Sequence, residues 1–139
     1  MSMTNTIIVS RLLEHVDPWG PLNLTPIPTL DEVEKAERQG YLEIDERGDA
    51  WEGKRRAWDV GRIATFVDQL RAGDVLDPIL LDNVCENGRI YPQTVLRDGH
   101  HRLCAAALIG HETLTAEYGG LVNVLEWLEG KRDTCPEEL

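Results

Sequence analysis

The chain alternates short apolar runs with polar joints, and the spacing within each run predicts what it forms. Thr6 to Val9 is β-branched and reads as a short strand. Asp17 to Pro28 carries four prolines and a glycine, which favours an extended or turning connection. Thr29-Leu30-Asp31-Glu32 has the form of a capping box and predicts a helix running to Gly40. Tyr41 to Lys54 is polar and mostly acidic, with Gly48 and Gly53, and reads as an exposed loop or weak hairpin. Asp59 then stands as an N-cap before Val60, Ile63, Ala64, Val67 and Leu70, which recur at helical spacing up to a stop at Gly73.

The second half is denser in strand signals. Pro78 to Val84 reads as a strand with proline at its first position, where the missing N–H costs least. Asn87-Gly88 predicts a type I′ turn, and Arg89 to Arg97 the returning strand, whose Pro92 marks an edge or a bulge. Asp98-Gly99-His100-His101-Arg102 closes that strand directly before Leu103 to Ile109, a helix former ended by Gly110. Thr113 to Tyr118 follows as a strand, Gly119-Gly120 as a turn, Leu121 to Glu129 as an amphipathic helix and Cys135 to Leu139 as an acidic tail.

Length and composition set the bounds. A chain of 139 residues with 42% apolar and 28% charged positions is about one globular domain, long enough to build its own core. Fourteen Lys and Arg against 25 Asp and Glu give a net charge of −11, a field that disfavours gripping long duplex DNA or an anionic membrane surface. Small anions held in one local pocket are a different matter. Cys85, Cys104 and Cys135 are widely spaced with no Cys-x-x-Cys pair, so no disulfide framework or structural zinc site is encoded. The uncharged start and the lack of an apolar stretch near 20 residues predict neither signal peptide nor membrane span, and a cytoplasmic protein.

The chemistry concentrates at residues 98–102. A strand, a glycine turn and a helix N-terminus make an anion site, because first-turn N–H groups lack intrahelical partners and the helix dipole is positive there. Gly99 allows close backbone approach, His100 and His101 add donors, and Arg102 can fork two phosphate oxygens. With Arg97, two fixed positive charges and two imidazoles fall within six residues of an otherwise acidic chain. Asp98 can share a magnesium ion with phosphates or take a proton from an attacking hydroxyl or water. Taken singly each residue has a structural reading, Asp98 as an N-cap and His101 as a satisfied core histidine. Together they point to a phosphate pocket.

Asp77-Pro78-Ile79-Leu80-Leu81, the hairpin, Asp98-Gly99-His100-His101-Arg102-Leu103-Cys104-Ala105-Ala106, Gly110 and Thr113 to Ala116 together resemble the core of the ParB/sulfiredoxin superfamily, also called ParB-like nuclease domains. The resemblance covers about residues 60–120. It leaves an N-terminal extension over 1–59 and a C-terminal helix and acidic tail over 121–139 within one domain, 1–139. It implies a small α/β (α+β) fold, a mixed sheet with packed helices, whose turn binds nucleotide phosphates through Gly99, His100, His101 and Arg102. Sulfiredoxins place a reactive cysteine directly after the turn glycine, where this chain has His100, so sulfiredoxin chemistry is not expected. Cys104 reads as a small buried apolar residue. Partition proteins of the superfamily carry further domains for which this chain has no room. The histidine-rich turn is more similar to the free-serine kinases and stand-alone members, in which an aspartate at the position of Asp98 acts in phosphoryl transfer.

The expectation is therefore a nucleotide-binding protein that hydrolyses a nucleoside triphosphate, ATP or CTP, or passes its phosphoryl group to a small acceptor. Asp98 and His100 would be catalytic, and Asp98 would hold the magnesium ion. A second carboxylate is offered by Glu52, Asp59 or Asp82, with no spacing argument to select one. The basic segment Lys54-Arg55-Arg56, between Trp51 and Trp58, reads as a solvated stretch before a helix or as a stacking platform for a base. His111 lies about 15 Å from His100 along the helix at 1.5 Å per residue, which disfavours a zinc site. Two other classes stay open: a non-enzymatic module that binds a protein partner through the acidic surface, and a magnesium-dependent nuclease.

Overall fold

The computed structural model describes residues 4–37 and 49–138, with backbone only at 37 and 49–54. The chain runs β1 (Asn5–Ile8), α1 (Val9–Leu12), a 3-10 turn (Gly20–Leu22), α2 (Leu30–Glu37), α3 (Asp49–Arg71), β2 (Ile79–Val84), β3 (Ile90–Asp98), α4 (His100–Ile109), β4 (Thr113–Gly119) and α5 (Val122–Leu128). It is a small mixed α+β domain with a four-stranded sheet of order β1-β4-β2-β3. The β2/β3 and β1/β4 pairs are antiparallel, while β2 and β4 run parallel, the long connection through β3 and α4 bringing the chain back beside β2. β3 is the sheet edge, which is where Pro92 can sit without breaking a ladder, and the β2/β3 register shifts twice.

One core joins parts that the sequence treats as separate. Ile7, Leu12 and Val33 from the N-terminal extension, Ile63 and Leu103 from the central region, and Val124 and Leu128 from α5 are all fully buried in one cluster. β1, α1, α2 and α5 thus supply walls of the core. Thr29 caps α2 as the capping box predicts, its Oγ1 accepting the Glu32 N–H at 3.1 Å. The predicted stop at Gly40 and the loop before residue 49 lie outside the described residues.

Two local expectations are corrected. The long helix begins at Asp49, ten residues before the predicted N-cap at Asp59, so α3 runs 23 residues and packs against both α2 and α4. Its first ten residues are too polar to declare a face by periodicity. The basic segment 54–56 and Trp58 lie inside this helix. The hairpin at Asn87-Gly88 is real, but type I′ requires positive φ at both residues and only Gly88, at +78°, has it. Gly88 N–H instead donates to Cys85 C=O at 2.9 Å, and Cys85 N–H to Arg89 C=O at 2.9 Å, closing a three-residue loop.

A buried polar hub holds the sheet to α5. Asn83 on β2 is fully buried; its Nδ2 donates to Gln93 C=O at 2.9 Å and its Oδ1 accepts the Leu121 N–H at 2.9 Å and the Tyr118 hydroxyl. Burial pushes the Tyr118 hydroxyl up to about 12, so it donates across the ordinary pH range. Gly120, at φ +151°, lies so close that a Cβ would meet Asn83 Oδ1 at 2.3 Å.

Candidate functional site

The junction between β3 and α4 is shaped by Gly99. Its φ is +105°, and an added Cβ would lie 2.4 Å from Ile79 Cγ2, so both the backbone and the space demand glycine. Gly99 is itself the N-cap of α4 and accepts the Leu103 N–H at 2.9 Å; no side chain caps this end. Asp98 therefore does not act as the cap. It ends β3 with its side chain about two-thirds exposed, at the rim of a hollow. The first-turn N–H groups of α4 are left without a capping side chain.

That hollow, about 180 Å³, is lined by Leu22, Arg62, Phe66, Asp98, Gly99, His100, His101 and Arg102. All five residues of the predicted turn meet there. Its volume lies below the roughly 300–1,000 Å³ of pockets that enclose whole drug-sized ligands, and matches a phosphate-sized group.

Both predicted arginines have partners within the fold, and only Arg102 lines the hollow. Arg102 Nη1 donates to Pro78 C=O at 2.8 Å and Asp77 C=O at 3.4 Å, anchoring α4 to the start of β2, and its guanidinium lies over Phe66 at 5.9 Å. Arg97 is bound by Asp82, through Nε to Oδ2 at 2.8 Å and Nη2 to Oδ1 at 3.1 Å, and also donates to Val84 C=O. Arg97 holds the Asp82 carboxyl below the usual carboxylate range. It does not line the hollow, so its charge is not part of the phosphate pocket that the sequence proposes. The alternation of side chains along β3 sends it away from the turn.

Beside Arg102, a second cation lines the hollow: Arg62, on α3. It makes no hydrogen bond or ion pair among the described residues, and its guanidinium lies over Trp58 at 5.4 Å and Phe66 at 5.5 Å. The aromatic faces hold it in place while leaving its N–H groups available. Sequence reasoning missed this residue. Trp58, Arg62 and Phe66 at i, i+4 and i+8 were a legible stripe, but the apolar positions between them drew attention to the core face instead.

Asp59 is the larger correction. Predicted as an N-cap, it sits in the middle of α3 with its side chain only 4% exposed, and its Oδ1 lies 2.8 Å from His101 Nε2. Its Oδ2 is buried and has no hydrogen-bond partner among the described residues, though Arg55 Nε stands 3.9 Å away. Trp58 meets the His101 ring edge to face at 5.5 Å. Of the three second carboxylates that the sequence left open, Asp59 is in contact with the histidine turn, Asp82 is paired with Arg97, and the Glu52 side chain lies outside the described residues. Burial holds His100 below the usual histidine range, His101 beside it adds to this and Asp98 opposes it. At neutral pH His100 is therefore an uncharged donor and acceptor, and positive charge in the hollow comes from Arg62, Arg102 and the end of α4.

Cys104 is fully buried and burial drives its thiol far up, as expected of an inert core cysteine. Among the described residues, no group of three or more His, Cys, Asp or Glu is placed to hold a metal ion. Magnesium, which commonly takes one or two carboxylates plus substrate phosphates, does not require such a group. No described helix is long and apolar enough to cross a membrane. Compared with protein-family models, curated proteins and solved structures, the chain finds no match.

Proposed function

We propose that this is a nucleotide-binding protein of the ParB/sulfiredoxin type that takes the phosphates of ATP or CTP at the β3–α4 turn. It would hydrolyse the nucleotide or pass the phosphoryl group to a small acceptor. The observation that carries the reading is the hollow at the open N-terminus of α4, where Arg62 offers a guanidinium without a carboxylate partner beside His100 and His101. Phosphate oxygens would be held by the first-turn N–H groups after Gly99, by the His100 ring and by Arg62. Arg102 lines the same hollow while its Nη1 anchors the turn to the Asp77 and Pro78 carbonyls. Asp98, exposed at the rim, would share the magnesium ion that screens phosphate charge against an acidic surface. The hollow's size leaves the nucleoside outside it, along the surface beyond Leu22 and Phe66.

Isothermal titration with the magnesium complexes of ATP, CTP, ADP and GTP tests this. Binding should be tighter than millimolar for at least one triphosphate. Arg62→Ala should weaken it at least tenfold at unchanged melting temperature, whereas Arg102→Ala should lower the melting temperature as well. Binding no tighter than millimolar for all four nucleotides refutes the reading.

A further inference from the structure

Two side chains 42 positions apart in sequence, Asp59 and His101, form a pair that a structural role explains poorly. A carboxylate with 4% exposure and one oxygen lacking any hydrogen bond is costly to bury, and an apolar pair of similar volume would join α3 to α4 more cheaply. The pair does define the imidazole. Asp59 Oδ1 accepts from Nε2, so the neutral ring carries its proton on Nε2 and keeps a lone pair on Nδ1. Nδ1 has no partner among the described residues, and His101 lines the hollow. The charged and titratable groups around the pair among the described residues are Arg55 and Arg62 on α3, His100, Arg102 and Cys104 on α4 and Asp98 at the end of β3.

We infer that His101 is the proton acceptor of this site and that Asp59 is the residue positioning it, fixing the tautomer that can accept. The inference rests on the nucleotide reading and replaces Asp98 in the acceptor role, leaving Asp98 to the rim. In hydrolysis, the water oxygen bonds to the terminal phosphorus as the bridging P–O bond breaks. The electron pair of that bond stays on the leaving nucleoside diphosphate, and the water proton moves to His101 Nδ1. With an acceptor alcohol the same proton comes from its hydroxyl.

The experiment uses the whole chain with Mg-ATP and Mg-CTP, following phosphate release in single turnovers, together with long-range proton–nitrogen NMR of the histidine rings. Wild type should show His101 protonated at Nε2 near pH 7.5. Asp59→Asn offers its amide N–H to Nε2 and should move the proton to Nδ1, cutting turnover about 10²-fold or more, the usual span of general-base catalysis, with nucleotide Kd within about threefold. His101→Gln should do the same and remove the acidic limb of the pH–rate profile. A wild-type ring protonated at Nδ1, or Asp59→Asn turning over like wild type, overturns the inference, and the NMR of wild type decides the first even where a variant fails to fold. Nucleotide binding without any turnover overturns the acceptor role and leaves the binding reading standing; absence of binding removes both.

Discussion

Replacing Gly99 by alanine perturbs the one backbone position that the site depends on, by two separable routes. The left-handed φ of +105° costs an L-residue roughly 1–2 kcal/mol. The new Cβ also meets Ile79 Cγ2 at 2.4 Å and Cβ at 2.9 Å, and Ile79 is fully buried, so the overlap is relieved only by moving β2 against α4. Overpacking of that kind typically costs about 1–3 kcal/mol. The expected loss is about 2–5 kcal/mol, a large share of the roughly 5–15 kcal/mol of a typical domain. Gly88→Ala supplies the reference: its φ of +78° carries the backbone cost, but nothing lies within 4 Å of its Cβ. Urea unfolding followed by tryptophan fluorescence measures both. In a cycle with Ile79→Ala, the double variant should recover at least about 1 kcal/mol relative to additivity, because the nearest clashing atom is gone. Gly99→Ala no more destabilising than Gly88→Ala, or an additive cycle, refutes the close-approach argument.

Three further outcomes follow from the same structure. Asn83→Ala strands the Leu121 N–H, the Gln93 carbonyl and the Tyr118 hydroxyl, and at about 1–3 kcal/mol for each unsatisfied buried group it should cost at least about 2 kcal/mol in urea unfolding. Burial lowers both His15 and His100 below the usual histidine range, so below about pH 6.5 the unfolded chain binds protons that the native one does not. Stability should therefore fall as pH drops from 7 towards 5, and His15→Gln should flatten part of that slope; a rise on acidification contradicts it. Thiol titration of the native protein should find Cys85 and Cys135 reactive and Cys104 silent until unfolding, since only Cys104 is fully buried.

The sheet strands, the core face of α3 and the turn at 98–102 were legible because each is a local signal: β-branched runs, helical spacing, and glycine with polar neighbours in a few consecutive positions. Val60, Ile63, Ala64, Val67 and Leu70 are buried as their spacing requires. The start of α3 was not legible, since its first ten residues show no apolar face at helical spacing.

What the sequence determined by itself is the place of the site: a strand end, a left-handed glycine and a helix N-terminus in one short run, which no distant residue needs to specify. Who serves that site was decided by the tertiary structure. Arg97 and Arg102 look available on paper, yet strand alternation hands one to Asp82, and the packing of α4 on β2 hands the other to the Asp77 and Pro78 carbonyls. α3 in addition brings Arg62 and Asp59 across from far along the chain, and a charge excess spread over the chain says nothing of such pairings. Side-chain partners depend on which faces of two elements meet, and that meeting is a property of the assembled core.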